Sequence, residues 1–208
     1  MKIQEKHTKK LLVEGNDDQH VIWALCEMFK IPEVFDVIDC EGIDNLYKSI
    51  SLRFKQSDVE TVGVIIDADI NLKDRWVDIR NLLSNQEFIM PEDLPSNGLV
   101  LVNGNNKVGV WIMPKNDTNG MLEDFVSFLV PEDDELLPVV DATLNEIESK
   151  KLNKYSLIHK SKARINSWLS WQEDPGTPMG LSITKRYLTT DNENCKLFIN
   201  WLQKLFIE

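Results

Sequence analysis

The sequence has little cysteine and no long apolar run. Its three cysteines, Cys26, Cys40 and Cys195, lie far apart and form no CxxC pair, which argues against both a disulfide framework and a zinc site. No apolar stretch approaches the ~20 residues needed to cross a bilayer. The basic segment at residues 1–10 has no small-residue cleavage site, so we do not expect a signal peptide. These absences predict a cytoplasmic protein.

An excess of positive charge is also missing. The net charge of −11 argues against a protein that coats nucleic acid through a generally basic surface. The charge is uneven, however, because residues 149–190 hold eight Lys or Arg residues and only two acids. The simple interpretation is a solvated helix surface. The alternative is a flank that contacts the phosphates of a nucleic acid.

The first half of the chain alternates between apolar runs and helical patterns. Strands are predicted at 10–14, 34–40 and 62–67, and helices at 17–30, 43–54 and 72–83. This order predicts the α/β class, with a parallel sheet and flanking helices.

The second half predicts a hairpin and then helices. Two apolar runs, 99–103 and 108–113, flank a Gly-Asn-Asn turn. Helical patterns follow at 119–129, 139–150, 160–172 and 193–206. We therefore predict an α/β core over residues 8–130 with a hairpin insertion, and a helical C-terminal extension over 139–208. The two are expected to pack as one compact unit.

Five acids follow the predicted strands or begin the helices after them: Glu14, Asp18, Asp67, Asp69 and Glu123. Because parallel sheets gather their ligands at the carboxyl ends of the strands, we expect these side chains to meet at one edge. Gathered carboxylates repel one another unless a cation neutralises them, and oxygen ligands favour Mg²⁺ or Mn²⁺ over zinc. The alternatives are an exposed strand-end acid, an Asp-rich turn and, for Glu123, an acid that stabilises a helix N-terminus.

The same residues resemble a known domain. Glu14-Gly15-x-x-Asp18 and Asp67-x-Asp69 resemble the Toprim domain of topoisomerases, primases and OLD-family nucleases. The segment NGMLEDF at 119–125, together with residues 162–188 and 198–206, is similar to small bacterial Toprim-type proteins related to the OLD-family nucleases. This likeness covers nearly the whole chain.

The resemblance implies a Toprim-like fold, a bound Mg²⁺ (or Mn²⁺) and nuclease activity. It implies that Glu14 also acts as a general acid or base, and that Lys160 or Lys162 balances charge on the reacting phosphate, as a basic residue does in OLD-type sites. The metal ligands would be the five acids already named. The residues expected to bind nucleic acid are Lys160, Lys162, Arg164, Lys185 and Arg186.

Several features of related enzymes are missing from the sequence. No domain with an active-site tyrosine and no zinc-ribbon cysteines accompany the motifs, which disfavours a topoisomerase and a primase. No Walker motif appears, so an OLD-type ATPase would have to be a separate partner protein. A haloacid-type phosphatase is disfavoured because its DxD follows the first strand, whereas Asp67-x-Asp69 follows the third.

The sequence thus predicts a metal-dependent phosphodiesterase, or nuclease, that hydrolyses DNA or RNA. The alternatives are a non-catalytic Toprim module that binds nucleic acid or a partner protein, and a small RNA-processing enzyme. A homodimer is a further expectation. The six tryptophans mostly fall on apolar helical faces, which favours core packing or a helix–helix interface. Trp168 and Trp171, which lie beside the basic residues, are the candidates for stacking on bases.

Overall fold

A five-stranded sheet organises the chain, and the computed structural model describes it over residues 5–208. Residues 1–4, part of the segment on which the expectation about a signal peptide rests, lie outside the described residues. The strands are β1 (Lys9–Val13), β2 (Asp36–Asp39), β3 (Thr61–Asp67), β4 (Leu99–Asn103) and β5 (Asn106–Met113). Their order in the sheet is β2-β1-β3-β5-β4.

Four of the strands are parallel, and β4 pairs antiparallel with β5 at one edge. The predicted α/β class, with a mainly parallel sheet, flanking helices and a hairpin, is confirmed. Among the described residues, no helix is long and apolar enough to span a bilayer.

Eight α-helices are present in the described part of the chain. They are α1 (Asn16–Met28), α2 (Ile43–Arg53), α3 (Leu72–Ser84), α4 (Leu122–Ser127), α5 (Leu136–Ser149), α6 (Lys160–Ser170), α7 (Met179–Thr184) and α8 (Glu193–Phe206). A short 3₁₀ turn at Leu157–His159 precedes α6. The sequence pattern missed α7 because six residues are too short to show a helical period. It also placed the start of α5 too late, since Pro138 lies within the first turn, where proline is tolerated.

The strands are apolar on both faces, so the sheet separates two cores. Leu11 and Val13 of β1 face the core formed with α1 and helices α4 to α8, whereas Leu12 faces the core formed with α2 and α3. This period of two is that of a strand buried on both faces.

Helix α8 lies close against the middle of the sheet. Gly63 of β3 and Gly109 of β5 are register partners, and a Cβ on either would lie within 3 Å of the Leu205 side chain. Glycine at these two positions therefore lets the C-terminal helix pack directly on the strands. The division at 130/139 remains a prediction, although helices on both sides of it share one core.

Candidate metal centre

Two neighbouring strands end in acids that touch. Glu14 directly follows β1, and Asp67 is the last residue of β3, which lies beside β1 in the sheet. The backbone N–H of Asp67 donates to Oε1 of Glu14 at 2.7 Å. Burial, opposed by that hydrogen bond, raises the pKa of Glu14. The sequence expectation that Glu14 and Asp67 meet at one edge agrees with this geometry.

Asp18 joins them from the first turn of α1. Its Oδ2 accepts the backbone N–H of Gly15 at 3.0 Å, so the short EGxxD turn folds the carboxylate back toward the strand end. Burial and, after it, the negative charge of Glu14 raise the pKa of Asp18 to about 7. The structure thus explains the spacing of this motif, because the helix must begin at once for Asp18 to reach the edge.

Asp67 links the sheet to α4. Its Oδ1 accepts the backbone N–H of Leu122 at 2.9 Å, which fixes the first turn of α4 against the end of β3. The next residue, Glu123, is thereby brought to the same place. Burial, and then the charges of Asp18, Glu14 and Glu123, raise the pKa of Asp67 well above its ordinary range.

Glu123 is buried, with only 4% of its surface exposed. Its Oε1 lies 3.3 Å from Nζ of Lys162, on α6. Its Oε2 is enclosed and has no hydrogen-bond partner in the described part of the chain. A buried carboxylate oxygen without a partner is costly, so this atom marks a position where a positive or proton-donating group would be stabilised.

These four carboxylates border one open cleft of about 580 Å³. Asp17, Asp39 and Glu41 also line this cleft. Among the described residues that line it, Lys162 is the single basic one. Although burial alone would lower the pKa of Lys162, the charges of Glu123, Asp67 and Asp17 raise it. Seven carboxyl groups therefore face one lysine in this cleft.

Sequence analysis did not single out the extra acids of the wall. Asp39 ends β2, so the strand-end rule applied to Glu14 and Asp67 would have found it. Glu41 follows it in a turn with a positive φ of 57°, and such a backbone conformation has no clear sequence signal at a glutamate.

Asp69 is the one predicted acid that does not line the cleft. Its carboxylate Oδ2 lies 2.5 Å from Nη2 of Arg75, on α3. The expectation that all five acids converge on one rim therefore holds for four of them. Arg75 was not noted in the sequence, although it follows Asp69 by six residues and lies in the first turns of the next helix.

The two lysines predicted for the reacting phosphate are separated. Lys162 lies at the cleft, but Nζ of Lys160 pairs with Oε2 of Glu148 at 2.7 Å. The basic segment is partly neutralised in the same way, since Arg164 pairs with Asp141 and Lys185 with Asp174. Glu148 and Asp141 lie on the neighbouring helix α5 and offset part of the excess counted along the sequence, whereas Asp174 is one of the two acids within that segment. Arg186, just after α7, is exposed.

The two candidate stacking tryptophans also differ. Trp168 is 1% exposed and donates its indole N–H to Asp134, so the hypothesis that it stacks on bases is wrong. Trp171 is 46% exposed and remains a candidate. The helical period places Trp168 on the inner face of α6, where it packs in the core.

The carboxylates are close, but they are not arranged as a finished ligand set. Over residues 5–208, no three His, Cys, Asp or Glu side chains are positioned together to hold a metal ion. The cause is visible in the contacts, because Glu14, Asp18 and Asp67 each accept a backbone N–H. Each of these bonds uses one of the two oxygens of its carboxylate. The all-oxygen donor set and the unpartnered Glu123 Oε2 fit a hard dication.

Comparison with known proteins identifies one family. The family model described as "Protein of unknown function (DUF3226)" matches residues 8–207. Two solved structures of the C-terminal region of the Xanthomonas campestris pv. campestris OLD protein, one phased with mercury and one with iodine, are similar at TM-scores of 0.39 and 0.40. They are 13% and 14% identical to this chain, and each comparison covers 92% of this chain and 82% of the other. TM-scores this low do not establish a common fold. No curated protein matches the chain.

Proposed function

The chain belongs to the DUF3226 family, and from its carboxylate cleft we propose that it is a Mg²⁺- or Mn²⁺-dependent phosphodiesterase that hydrolyses DNA or RNA. One observation carries the proposal. Four carboxylates from three separate segments border one cleft, and a buried oxygen of one of them, Glu123 Oε2, has no partner among the described groups. An arrangement that costs folding energy in the absence of a cation is the kind found at functional sites.

The residues that would hold the metal are Glu14, Asp18, Asp67 and Glu123. The bound ion would supply a Lewis acid and lower the pKa of an attacking water. In its deprotonated form Glu14 would accept and return a proton at its carboxylate, the acid–base role that the Toprim resemblance implies for it. Backbone hydrogen bonds from Asp67 and Leu122 hold Glu14 and Asp67 in place for this work.

Lys162 would bind the phosphate. It is the basic residue that borders the cleft. Because its side chain is half exposed, it can turn from Glu123 toward a substrate. Lys160 is poorly placed to bind the phosphate, because it forms an ion pair with Glu148. The exposed Arg186 and Trp171 are further candidate contacts for a nucleic acid.

The Toprim resemblance of the EGxxD and DxD motifs supports nucleic acid as the substrate class. Related OLD-type nucleases carry an ATPase, and a separate ATPase partner would supply that activity here.

A cleavage assay with matched variants tests the proposal. Wild type, Glu14→Gln, Asp67→Asn and the exposed control Asp133→Asn are incubated with single- and double-stranded DNA and RNA, with Mg²⁺, Mn²⁺ or EDTA. We expect metal-dependent cleavage by wild type and control, and a loss of at least about 100-fold in the two cleft variants. Equal cleavage by all four proteins would indicate a contaminating nuclease.

A non-catalytic Toprim module is the second candidate. It is favoured by the backbone hydrogen bonds that already satisfy three of the carboxylates, and by the absence of a finished ligand set over residues 5–208. This candidate predicts that binding of a nucleic acid or protein partner survives Asp67→Asn unchanged and that no substrate is cleaved.

A further inference from the structure

Asp69 is held away from the cleft by its own backbone. It has a positive φ of 51°, and its N–H and C=O both pair with Gly120, at 2.8 Å each. This bridge joins the turn after β3 to the turn before α4. The chain therefore changes direction between Asp67 and Asp69, and the two acids of the DxD motif have different surroundings.

Arg75 forms an ion pair with the carboxylate of Asp69. The 2.5 Å contact between Nη2 and Oδ2 joins two side chains that are each about a quarter exposed. The backbone of Arg75 lies in the first turn of α3. This turn is capped by Asn71, whose side chain accepts the backbone N–H of Asp74.

The ion pair with Arg75 neutralises the charge of Asp69, which weakens the attraction of this carboxylate for a metal ion. Glu123 is also paired through one oxygen, with Lys162 at 3.3 Å, but it borders the cleft and its buried Oε2 has no partner in the described part of the chain. The two acids thus differ in what metal binding would require. Asp69 would have to leave its place beside Arg75 to reach the cleft, whereas Oε2 of Glu123 would gain its first partner.

We propose that Arg75 withholds Asp69 from the metal, so that the ligands are Glu14, Asp18, Asp67 and Glu123 and the second acid of the DxD motif is a counter-ion. This assignment rests on the proposed function. Arg75 is accordingly a positioning residue that determines which acids face the cleft, and it does not touch the metal or the substrate.

Mn²⁺ titration by calorimetry tests the assignment without any substrate. The decisive pair is Asp69→Asn/Arg75→Gln and Asp67→Asn/Arg75→Gln, because each double variant removes one negative and one positive charge and keeps the net charge of the protein. We expect the first to bind Mn²⁺ within about threefold of wild type and the second to bind more than about tenfold more weakly, since only the second loses a ligand.

Two single variants examine Arg75 itself. Arg75→Gln frees Asp69 and removes a nearby positive charge, so it should bind Mn²⁺ several-fold more tightly than wild type. Arg75→Lys keeps the charge and the pairing, so it should bind as wild type does. Thermal melting of each variant in the same buffer identifies any that does not fold, and the two single variants then carry the test.

The outcomes separate two kinds of failure. Equal weakening in the two double variants, or no tightening in Arg75→Gln, would overturn the assignment of Asp69 while leaving a metal site in the cleft. Absence of Mn²⁺ binding by the wild type would overturn the proposed function and this assignment together.

Discussion

Charged side chains are paired with opposite charges or carbonyl groups at one end of the sheet, whereas acids are clustered at the other end. At the amino ends of the strands, Lys10 pairs with Asp36 at 2.7 Å, and Lys9 and Lys107 donate to the last carbonyls of α8. Although burial opposes the shift, the bond from Lys10 and the amides of residues 6 and 7 lower the pKa of Asp36. At the carboxyl ends, four acids gather and the pKa values of Glu14, Asp18 and Asp67 all rise.

This difference separates stability from function. The paired charges of the amino end stabilise the fold, because each buried ion meets an opposite charge or a helix C-terminus. The carboxyl end destabilises the fold in the absence of a ligand, because like charges are held together in a partly enclosed cleft. We expect neutralisation of a charge to lower the free energy of unfolding at the first end and to raise it at the second.

The largest effect is expected from Lys10→Met. The Lys10 and Asp36 side chains are 6% and 9% exposed, so the substitution leaves a buried carboxylate without its ion partner. The free energy of unfolding, measured by urea denaturation, should fall by about 3 kcal/mol. Asp36→Asn should cost less, because Lys10 keeps its pairing with Glu5 at 3.0 Å. A loss below 0.5 kcal/mol for Lys10→Met, about the scatter of surface substitutions, would contradict the stabilising role of this end.

The pH dependence of the metal-free protein is the second test. Asp18 has a pKa of about 7 in the folded protein, above the ordinary value of 3.8, so the folded state binds its proton more tightly than the unfolded chain does. The stability from this group is fully present below the unfolded pKa and is lost as pH rises toward the folded one. Between pH 5 and pH 8 in EDTA, the free energy of unfolding should fall by about 2 kcal/mol from Asp18 alone.

A matched variant assigns this effect to the cleft. Asp18→Asn should flatten the slope between pH 5 and pH 8, whereas Asp133→Asn, on the exposed acidic segment, should leave it unchanged. Stability that rises with pH over this range in the wild type would mean that the carboxyl end is not the source of repulsion.

The smallest effect is expected from Asp67→Asn. The amide keeps an oxygen that can accept the N–H of Leu122, and it removes one of the clustered charges. At pH 8 without metal, the free energy of unfolding should rise by about 1 kcal/mol. The gain should shrink at pH 5, because a lower pH favours the neutral form of the clustered acids in the wild type. Destabilisation at both pH values would show that packing at the strand end, rather than charge, dominates.

The sequence predicted the sheet and most of the cleft because both follow local rules. Apolar runs that end in acids located β1 and β3, and the spacing of Glu14 and Asp18 identified a turn into a helix. Parallel pairing then places their carboxyl ends together, so the meeting of Glu14 with Asp67 needed no knowledge of distant contacts.

The parts that the sequence did not reveal depend on side-chain contacts that only the folded chain brings about. The pairing of Arg75 with Asp69 depends on the left-handed turn after β3, and the neutralisation of the basic flank depends on how α5 and α6 pack. The burial of Glu123 requires α4 to bind the end of β3 through Leu122. None of these pairings leaves a periodic pattern in one sequence.

Anomalous diffraction from crystals of the protein soaked in Mn²⁺ tests the central claim most directly, because it locates the ion without reference to substrate or activity. The account predicts a manganese peak in the cleft, with oxygens of Glu14, Asp18, Asp67 and Glu123 within about 2.3 Å of the ion and Asp69 still paired with Arg75. A cleft without a peak at saturating Mn²⁺, with ordered and unoccluded carboxylates, would contradict it.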